Sequence, residues 1–121
     1  MEFIHGLVNL HRQSKECAAT VGNFDGVHLG HQLVLEKLKE TAKRFNLIST
    51  VLIFEPQPME YFDPDASPSR LTRLREKLQQ FSNYNIDRVV CLKFNRKLAN
   101  LAAIDFIDDI LLKGLSAQKI I

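Results

Sequence analysis

The stretch GNFDGVHLGH, residues 22–31, decides how the rest of the chain is interpreted. It overlaps the end of CAATVGNF, residues 17–24, a run of small and β-branched residues ending at a glycine turn, which is typical of a strand. Behind it, apolar residues recur at helical spacing over about residues 30–45. The segment therefore connects a strand to a helix, which is where open α/β sheets bind their ligands.

The rest of the chain alternates between short apolar runs and helical spacing. Repeated strand–helix units imply an α/β fold, a Rossmann-like doubly wound parallel sheet with helices on both faces. The opening residues, 1–12, fit either an edge strand or a packed arm. Further strands are predicted over 49–54, 87–94 and 117–121. The faces that define the three predicted helices are Val34, Leu38, Ala42 and Phe45; Leu71, Leu74, Leu78 and Phe81; and Phe106, Ile110 and Lys113, with Gly114 at the end of the third.

A proline-rich connection, EPQPMEYFDPDASPS at 55–69, separates the second predicted strand from the second helix. All four prolines of the chain lie in it. Each proline lacks a backbone donor and disfavours helical geometry at the residue before it, so neither a helix nor a central strand is predicted here. Connections of this length are usually functional or disordered.

The composition is that of an ordinary globular chain, and the net charge of +2 is too weak to indicate nucleic-acid binding. No apolar run is long enough to cross a membrane and the N-terminus lacks a signal-peptide pattern, so the predicted location is cytoplasmic. Cys17 and Cys91 lie in apolar runs and are predicted to be buried thiols, with a disulfide the less favoured alternative. One basic cluster is interpreted as a solvated helix face rather than a binding patch; its members are Arg70, Arg73, Arg75 and Lys77.

The residue types in GNFDGVHLGH suit a phosphate group. Gly22 and Gly26 allow a tight turn close to a ligand, and free amides in such a turn and at a helix start point at an anion. His28 and His31 are three residues apart, so they project from nearly the same helix face and can donate to one phosphate, stabilising charge that develops during attack on phosphorus. The predicted nucleotide-binding residues are Gly22, Asn23, Phe24, Asp25, Gly26, His28, Gly30 and His31.

Two other interpretations of the histidine pair stay open: a metal site, for which no third ligand has suitable spacing, and two capping or core histidines. Gly30 is expected to leave room for the nucleotide, and Leu29 to point into the core. Asp25 is expected to hold the turn through side-chain hydrogen bonds, with a magnesium role as the alternative. The segment is neither a Walker A loop nor a Rossmann dinucleotide fingerprint, because both require other glycine spacings.

The HxGH element after a GxFD turn resembles the nucleotidyltransferase superfamily, whose members join a nucleoside monophosphate to an acceptor and release pyrophosphate. Three further segments make the resemblance closer: VLIFEPQP at 51–58, SRLTRLREKL at 69–78 and LAAIDFIDDILLKGL at 101–115. Together with GNFDGVHLGHQ they resemble, along essentially the whole chain, the N-terminal half of the bacterial bifunctional riboflavin kinase/FAD synthetase family.

The resemblance implies that residues 1–121 are the N-terminal part of an FMN adenylyltransferase module with the HxGH nucleotidyltransferase fold. Such a module transfers AMP from ATP, accompanied by Mg²⁺, to FMN. His28 and His31 match the family's two motif histidines and are the implied catalytic residues. Ala102 stands where the family usually has a serine that caps the third helix, so that helix is expected to start less firmly. The flavin-binding residues, in part implied by the resemblance and in part suggested by their residue types, are Phe54, Pro56, Pro58, Phe62 and Arg70.

The aromatic residues of that set, and Tyr61, fit a core role as well, and Arg70 also fits a solvated surface. The family pattern continues past Ile121 with the rest of the module and a C-terminal barrel that phosphorylates riboflavin, so the fold is expected to be incomplete and the kinase domain absent. Three hypotheses follow. The first is an FMN adenylyltransferase module, the second another adenylyl- or cytidylyltransferase, which FEPQP argues against. The third is a non-catalytic fragment that binds nucleotide or self-associates through the exposed C-terminal strand.

Overall fold

Five parallel strands form the sheet in the part of the chain that the structure describes. A computed structural model describes residues 1–6, 9–10, 15–25, 29–55, 62 and 74–121. The predicted α/β fold is confirmed, and Glu2–His5 in the opening segment form an edge strand, while Leu10 packs against the core. The strands are β1 (Glu2–His5), β2 (Cys17–Val21), β3 (Ile48–Phe54), β4 (Arg88–Leu92) and β5 (Ala117–Ile120).

The order of the strands locates the ligand-binding edge. It is β1-β4-β3-β2-β5, and all neighbours are parallel. From β2 the chain moves in one direction to β3 and β4, and then crosses back to place β5 on the other side of β2. The order therefore reverses between β2 and β5, and such a reversal opens a crevice at the carboxyl ends of the strands. Residues 22–25 follow β2 directly, so they lie at this switch point.

Helices cover both faces of the sheet, as expected of a doubly wound fold. The helices α1 (Leu29–Arg44) and α2 (Leu74–Asn83) pack on one face through Leu35, Leu38 and Phe81. On the other face lie α3 (Arg96–Ala99) and a longer helical segment, with Leu98 and Leu111 in the core. Among the described residues, no helix combines the length and apolar character needed to cross a bilayer.

The two cysteines belong to different cores. Cys17 lies on the face covered by α3, and Cys91 on the face covered by α1 and α2. Both are fully buried, which confirms that part of the prediction. The thiol of Cys17 donates to the carbonyl oxygen of Leu115 at 3.4 Å. No disulfide joins them, because the sheet lies between the two side chains.

The helix before β5 differs from the prediction of a plain α-helix. An α-helical start, α4 (Ala103–Asp105), continues into a π-helix over Phe106–Gly114. The amide of Leu115 donates to the carbonyl of Ile110 at 2.9 Å, a bond that spans five residues. Such bonds bring residues five apart together, and Phe106 and Leu111 accordingly line the same pocket.

Gly114 ends the π-helix, as predicted for the end of the third helix. A Cβ atom at this position would lie 3.2 Å from the carbonyl oxygen of Asp109 and 3.2 Å from a methyl carbon of Leu10. The glycine therefore allows close packing at the helix end. Lys113, predicted to share a face with Phe106 and Ile110, is exposed instead, because the π-helix rotates it out of that face.

Three further side-chain predictions are wrong. Leu29, predicted to be buried, is 70% exposed, because it is the first residue of α1 and the buried face of that helix begins at Leu35. Phe45 follows the end of α1, is 45% exposed and has the Lys119 ammonium 4.3 Å from its ring centroid. Lys77, predicted to be solvated, is fully buried because it shares the inner face of α2 with Phe81, one turn away. Arg75 is exposed as expected, and Arg70 and Arg73 lie outside the described residues.

The start of α4 carries a testable defect. Ala102 occupies its N-cap with extended backbone (φ −63°, ψ 149°) and makes no side-chain cap hydrogen bond. Replacing Ala102 with serine should raise the free energy of unfolding by about 1 kcal/mol, because the hydroxyl can accept from a first-turn amide. Urea denaturation measures the change. Ala103→Ser, one residue into the helix, is the matched control, and an equal gain in both variants would contradict the capping explanation.

Candidate nucleotide-binding site

The turn after β2 exposes polar groups and buries one ring. The amide of Gly22 donates to the carbonyl of Leu52 at 3.1 Å, which ties the turn to β3. Asn23 is exposed and Asp25 is half-buried, whereas Phe24 is only 3% exposed. The side chain of Phe24, predicted to be at a nucleotide-binding position, therefore belongs to the core, and only its backbone is available to a ligand.

The reason for glycine at position 22 also differs from the prediction. A Cβ atom there would lie 2.9 Å from Cε2 of Phe24, closer than such contacts occur in proteins. Among the described residues of this turn, the one with left-handed backbone is Phe24 itself, with φ +52°. Gly22 thus accommodates a neighbouring ring, and the sharp bend is carried by an aromatic residue.

His31 lies in the first helical turn of α1, next to the turn that follows β2. It is half-buried, and its ring centroid is 4.9 Å from that of Phe24 at an interplanar angle of 45°. Gly30 is exposed, and its role of leaving room for the nucleotide stays a prediction. The first turn of α1 contains no acidic residue, so no side chain of that turn opposes the attraction of the helix dipole for an anion. Gly26 and His28 lie outside the described residues, and the pairing of the two imidazoles stays a prediction.

An apolar pocket of about 500 Å³ opens beside the turn, at the carboxyl edge of the sheet. Val21, the residue before Gly22, forms part of its wall, together with Phe54 at the end of β3. Every described residue that lines it is apolar. Its volume is in the range of pockets that hold small organic ligands.

A chain of aromatic contacts joins two of the predicted flavin-binding residues. The ring of Phe94 lies 5.5 Å from that of Phe54 and 5.7 Å from that of Phe62, edge to face in both pairs. Phe54 is 8% exposed and Phe62 is 67% exposed, so the series of aromatic contacts extends from the core to the surface. Phe62 is helical, so the prediction that 55–69 contains no helix is wrong at that residue. Pro56, Pro58, Tyr61 and Arg70 lie outside the described residues.

Phe94 and Leu101 are pocket residues that the sequence analysis missed. The sequence could have indicated Phe94 by its position two residues after the end of β4, because side chains beyond the carboxyl ends of parallel strands meet at one edge of the sheet.

The described residues were also compared with the requirements of a metal site. Within the described ranges, no three His, Cys, Asp or Glu side chains are grouped so that they could hold a metal ion.

The doubly wound parallel sheet, with a polar turn and an apolar pocket at its switch point, places the chain in the Rossmann-like class of α/β proteins. The profile of the FAD synthetase family matches residues 10–121, and the chain belongs to that family.

Individual relatives agree with this assignment. The chain is 45% identical, over 99% of its length, to the bifunctional riboflavin kinase/FMN adenylyltransferase of Pseudomonas fluorescens. It is 47% identical over 98% of its length to the Escherichia coli K12 protein of the same name, and 46% identical to that of Haemophilus influenzae. The chain spans 38% of the length of each of these relatives.

A solved structure supports the fold. The crystal structure titled as a macrolide-efflux protein from Streptococcus pneumoniae superposes with a TM-score of 0.81 at 20% sequence identity, covering 99% of this chain and 47% of that one. At this identity the likeness concerns the Rossmann-like fold alone.

Proposed function

We propose that the chain carries FMN adenylyltransferase activity, the transfer of AMP from ATP to FMN with release of pyrophosphate. The observation that supports it most is the family match over residues 10–121. The placement of the turn and the pocket at the switch point of the sheet agrees with it, because this reaction needs a site for phosphates beside a site for a flat apolar ring.

In this proposal the two halves of the site take the two parts of the chemistry. The amides of residues 23–25 and the start of α1 bind the ATP phosphates, since helix starts attract anions, while the Gly22 amide stays bonded to the Leu52 carbonyl. The pocket between Phe54 and Leu111 takes the isoalloxazine ring, whose faces match its apolar lining. Val21 lines the pocket and Gly22 begins the turn. The proposed flavin site and the proposed phosphate site are therefore adjacent.

The reaction requires no covalent enzyme intermediate. A phosphate oxygen of FMN attacks the α-phosphorus of ATP, the bond from that phosphorus to the bridging oxygen breaks, and pyrophosphate leaves with the electron pair. His31, and His28 as predicted, donate hydrogen bonds to the phosphate oxygens on which charge develops. The chain contributes position and charge stabilisation.

Mg²⁺ is proposed to enter bound to ATP. In nucleotide-binding sites, Mg²⁺ is held by one or two protein carboxylates together with the substrate phosphates. Asp25 after β2 and Glu55 after β3 are half-buried carboxylates at the carboxyl edge, which fits that donor set. When bound, the ion neutralises charge on the leaving pyrophosphate.

Incubating the chain with ATP, Mg²⁺ and FMN tests the proposal. Formation of FAD, identified by its quenched flavin fluorescence and by chromatography, is the expected result. A thermal shift with ATP but no FAD would favour the alternative of a fragment that only binds nucleotide. With CTP in place of ATP the rate should fall to background, and an equal rate would favour another nucleotidyltransferase.

Filling the pocket should separate flavin binding from ATP binding. Ala103 is exposed and lines the pocket, so Ala103→Trp should raise the KM for FMN about tenfold, equivalent to about 1.4 kcal/mol of lost binding. The thermal shift produced by ATP should be unchanged. Ala102→Trp, its exposed neighbour outside the pocket lining, is the matched control. A KM for FMN that stays the same in Ala103→Trp would contradict the flavin assignment.

The remaining expectations also stay proposals. We assign residues 1–121 to the adenylyltransferase and the kinase activity in the relatives' names to parts of those proteins that this chain does not match, so riboflavin plus ATP should give no FMN. Self-association is proposed through β5, an edge strand with Ile120 48% exposed. Light scattering would decide it. A cytoplasmic location is likewise a prediction.

A further inference from the structure

Phe24 combines two features that oppose each other. Its φ of +52° lies in the left-handed region, which costs a residue with a side chain about 1–2 kcal/mol. Its ring is nevertheless 3% exposed and therefore firmly placed. Strained backbone of this kind persists where the surroundings over-determine it, and it clusters at functional sites.

Three neighbours hold the ring in place. Phe81 of α2 meets it edge to face, with centroids 5.4 Å apart and an angle of 83°. Gly22 leaves the space that the ring occupies, since a Cβ there would be 2.9 Å from Cε2. The imidazole of His31 also contacts the ring, with the two centroids 4.9 Å apart. The ring thus connects β2, α1 and α2 at the point where the turn begins.

We infer that Phe24 is a positioning residue for His31: its ring, held by Phe81 and admitted by Gly22, fixes the orientation of the imidazole toward the phosphate turn. The inference rests on the proposed adenylyl transfer for its functional consequence, and on the ring contacts for its structural one. Orientation matters because a misplacement of about 1 Å in a catalytic group can cost about 10²-fold in rate.

Replacing Phe24 with leucine tests this directly. The variant should lower the kcat of FAD formation roughly tenfold and leave the KM for FMN unchanged, because the pocket is not altered. In proton NMR, the Hε1 signal of His31 should move, since the ring current of Phe24 is lost. The chain has four histidines, so His31→Gln identifies the signal.

A second phenylalanine–histidine pair supplies the control. Phe3 and His5 on β1 stack with centroids 5.9 Å apart and an angle of 22°. Phe3→Leu should move the His5 signal and leave both the His31 signal and the rate unchanged. A loss of rate in Phe3→Leu equal to that in Phe24→Leu would overturn the inference.

The close approach of Gly22 to the Phe24 ring allows a second, independent test of the inference. Gly22→Ala places a methyl group against Cε2 of Phe24, so it should displace the ring, move the His31 signal and slow FAD formation. In the Phe24→Leu background that atom is gone, and Gly22→Ala should add less than twofold. Additive losses, or an unmoved His31 signal in both single variants, overturn the inference. If Phe24→Leu does not fold, Gly22→Ala decides.

Failure of the proposed function is a different result. Should the wild-type chain form no FAD, the adenylyltransferase proposal fails. Nuclear Overhauser contacts of the His31 ring with α1, compared between the wild type and Phe24→Leu, then still decide whether Phe24 positions the imidazole, and unchanged contacts overturn the inference.

Discussion

Replacing His31 with alanine should lower the rate of FAD formation about 10²-fold, the effect of removing one preorganised donor from a site where charge develops. His31 is half-buried in the first turn of α1 and its ring rests on that of Phe24, so its orientation is set before substrate binds. Alanine favours helix and removes only the imidazole, so the fold of α1 should persist.

Initial rates at saturating ATP and FMN measure the loss, and circular dichroism checks the fold. His5→Ala is the matched control, because His5 is an exposed histidine on the edge strand β1. Its rate should equal that of the wild type. A His31→Ala variant within twofold of wild type would show that the imidazole has no part in the reaction.

Replacing Arg88 with methionine should lower the free energy of unfolding by about 2–4 kcal/mol. Arg88 is 1% exposed in β4. Its Nε donates to the hydroxyl oxygen of Thr50 in β3, and its Nη2 donates to the carbonyl of Leu115 before β5, both at 3.0 Å. Methionine fills much of the volume but leaves both buried acceptors without these donors. Leu115 then retains the weak thiol donor of Cys17.

Urea denaturation of both proteins measures the change. Arg96→Met, an exposed arginine in α3, is the control and should change stability by less than about 0.5 kcal/mol. Arg88→Lys should recover only part of the loss, because an ammonium group lacks the planar fork that reaches two acceptors. Equal stabilities of Arg88→Met and the wild type would mean that methionine packing compensates for both bonds.

The central strands β3 and β4 were predictable because their side chains are buried on both faces. Residues of β3 and β4 are apolar almost throughout, and this pattern is typical of a parallel sheet covered by helices on both faces. The end of the last helix at Gly114 followed from local chemistry. Its π-helical form did not, because a dense apolar run such as FIDDILLKG fits spacings of four and of five residues equally well.

The candidate site was predictable in place but not in detail. A strand, a glycine turn and a helix start in succession indicated the switch point. That Phe24 adopts left-handed backbone in this turn depends on Phe81, which is distant in sequence and close in space. The same applies to the burial of Lys77, since the inner face of α2 is set by the sheet on which it packs.

The position of β1 has a consequence for synthesis on the ribosome. Its residues Glu2 to His5 find their hydrogen-bonded neighbours at Arg88 to Cys91. β1 is therefore translated well before the strand with which it pairs, and until β4 has emerged the backbone of β1 offers unpaired groups to chaperones and to other chains.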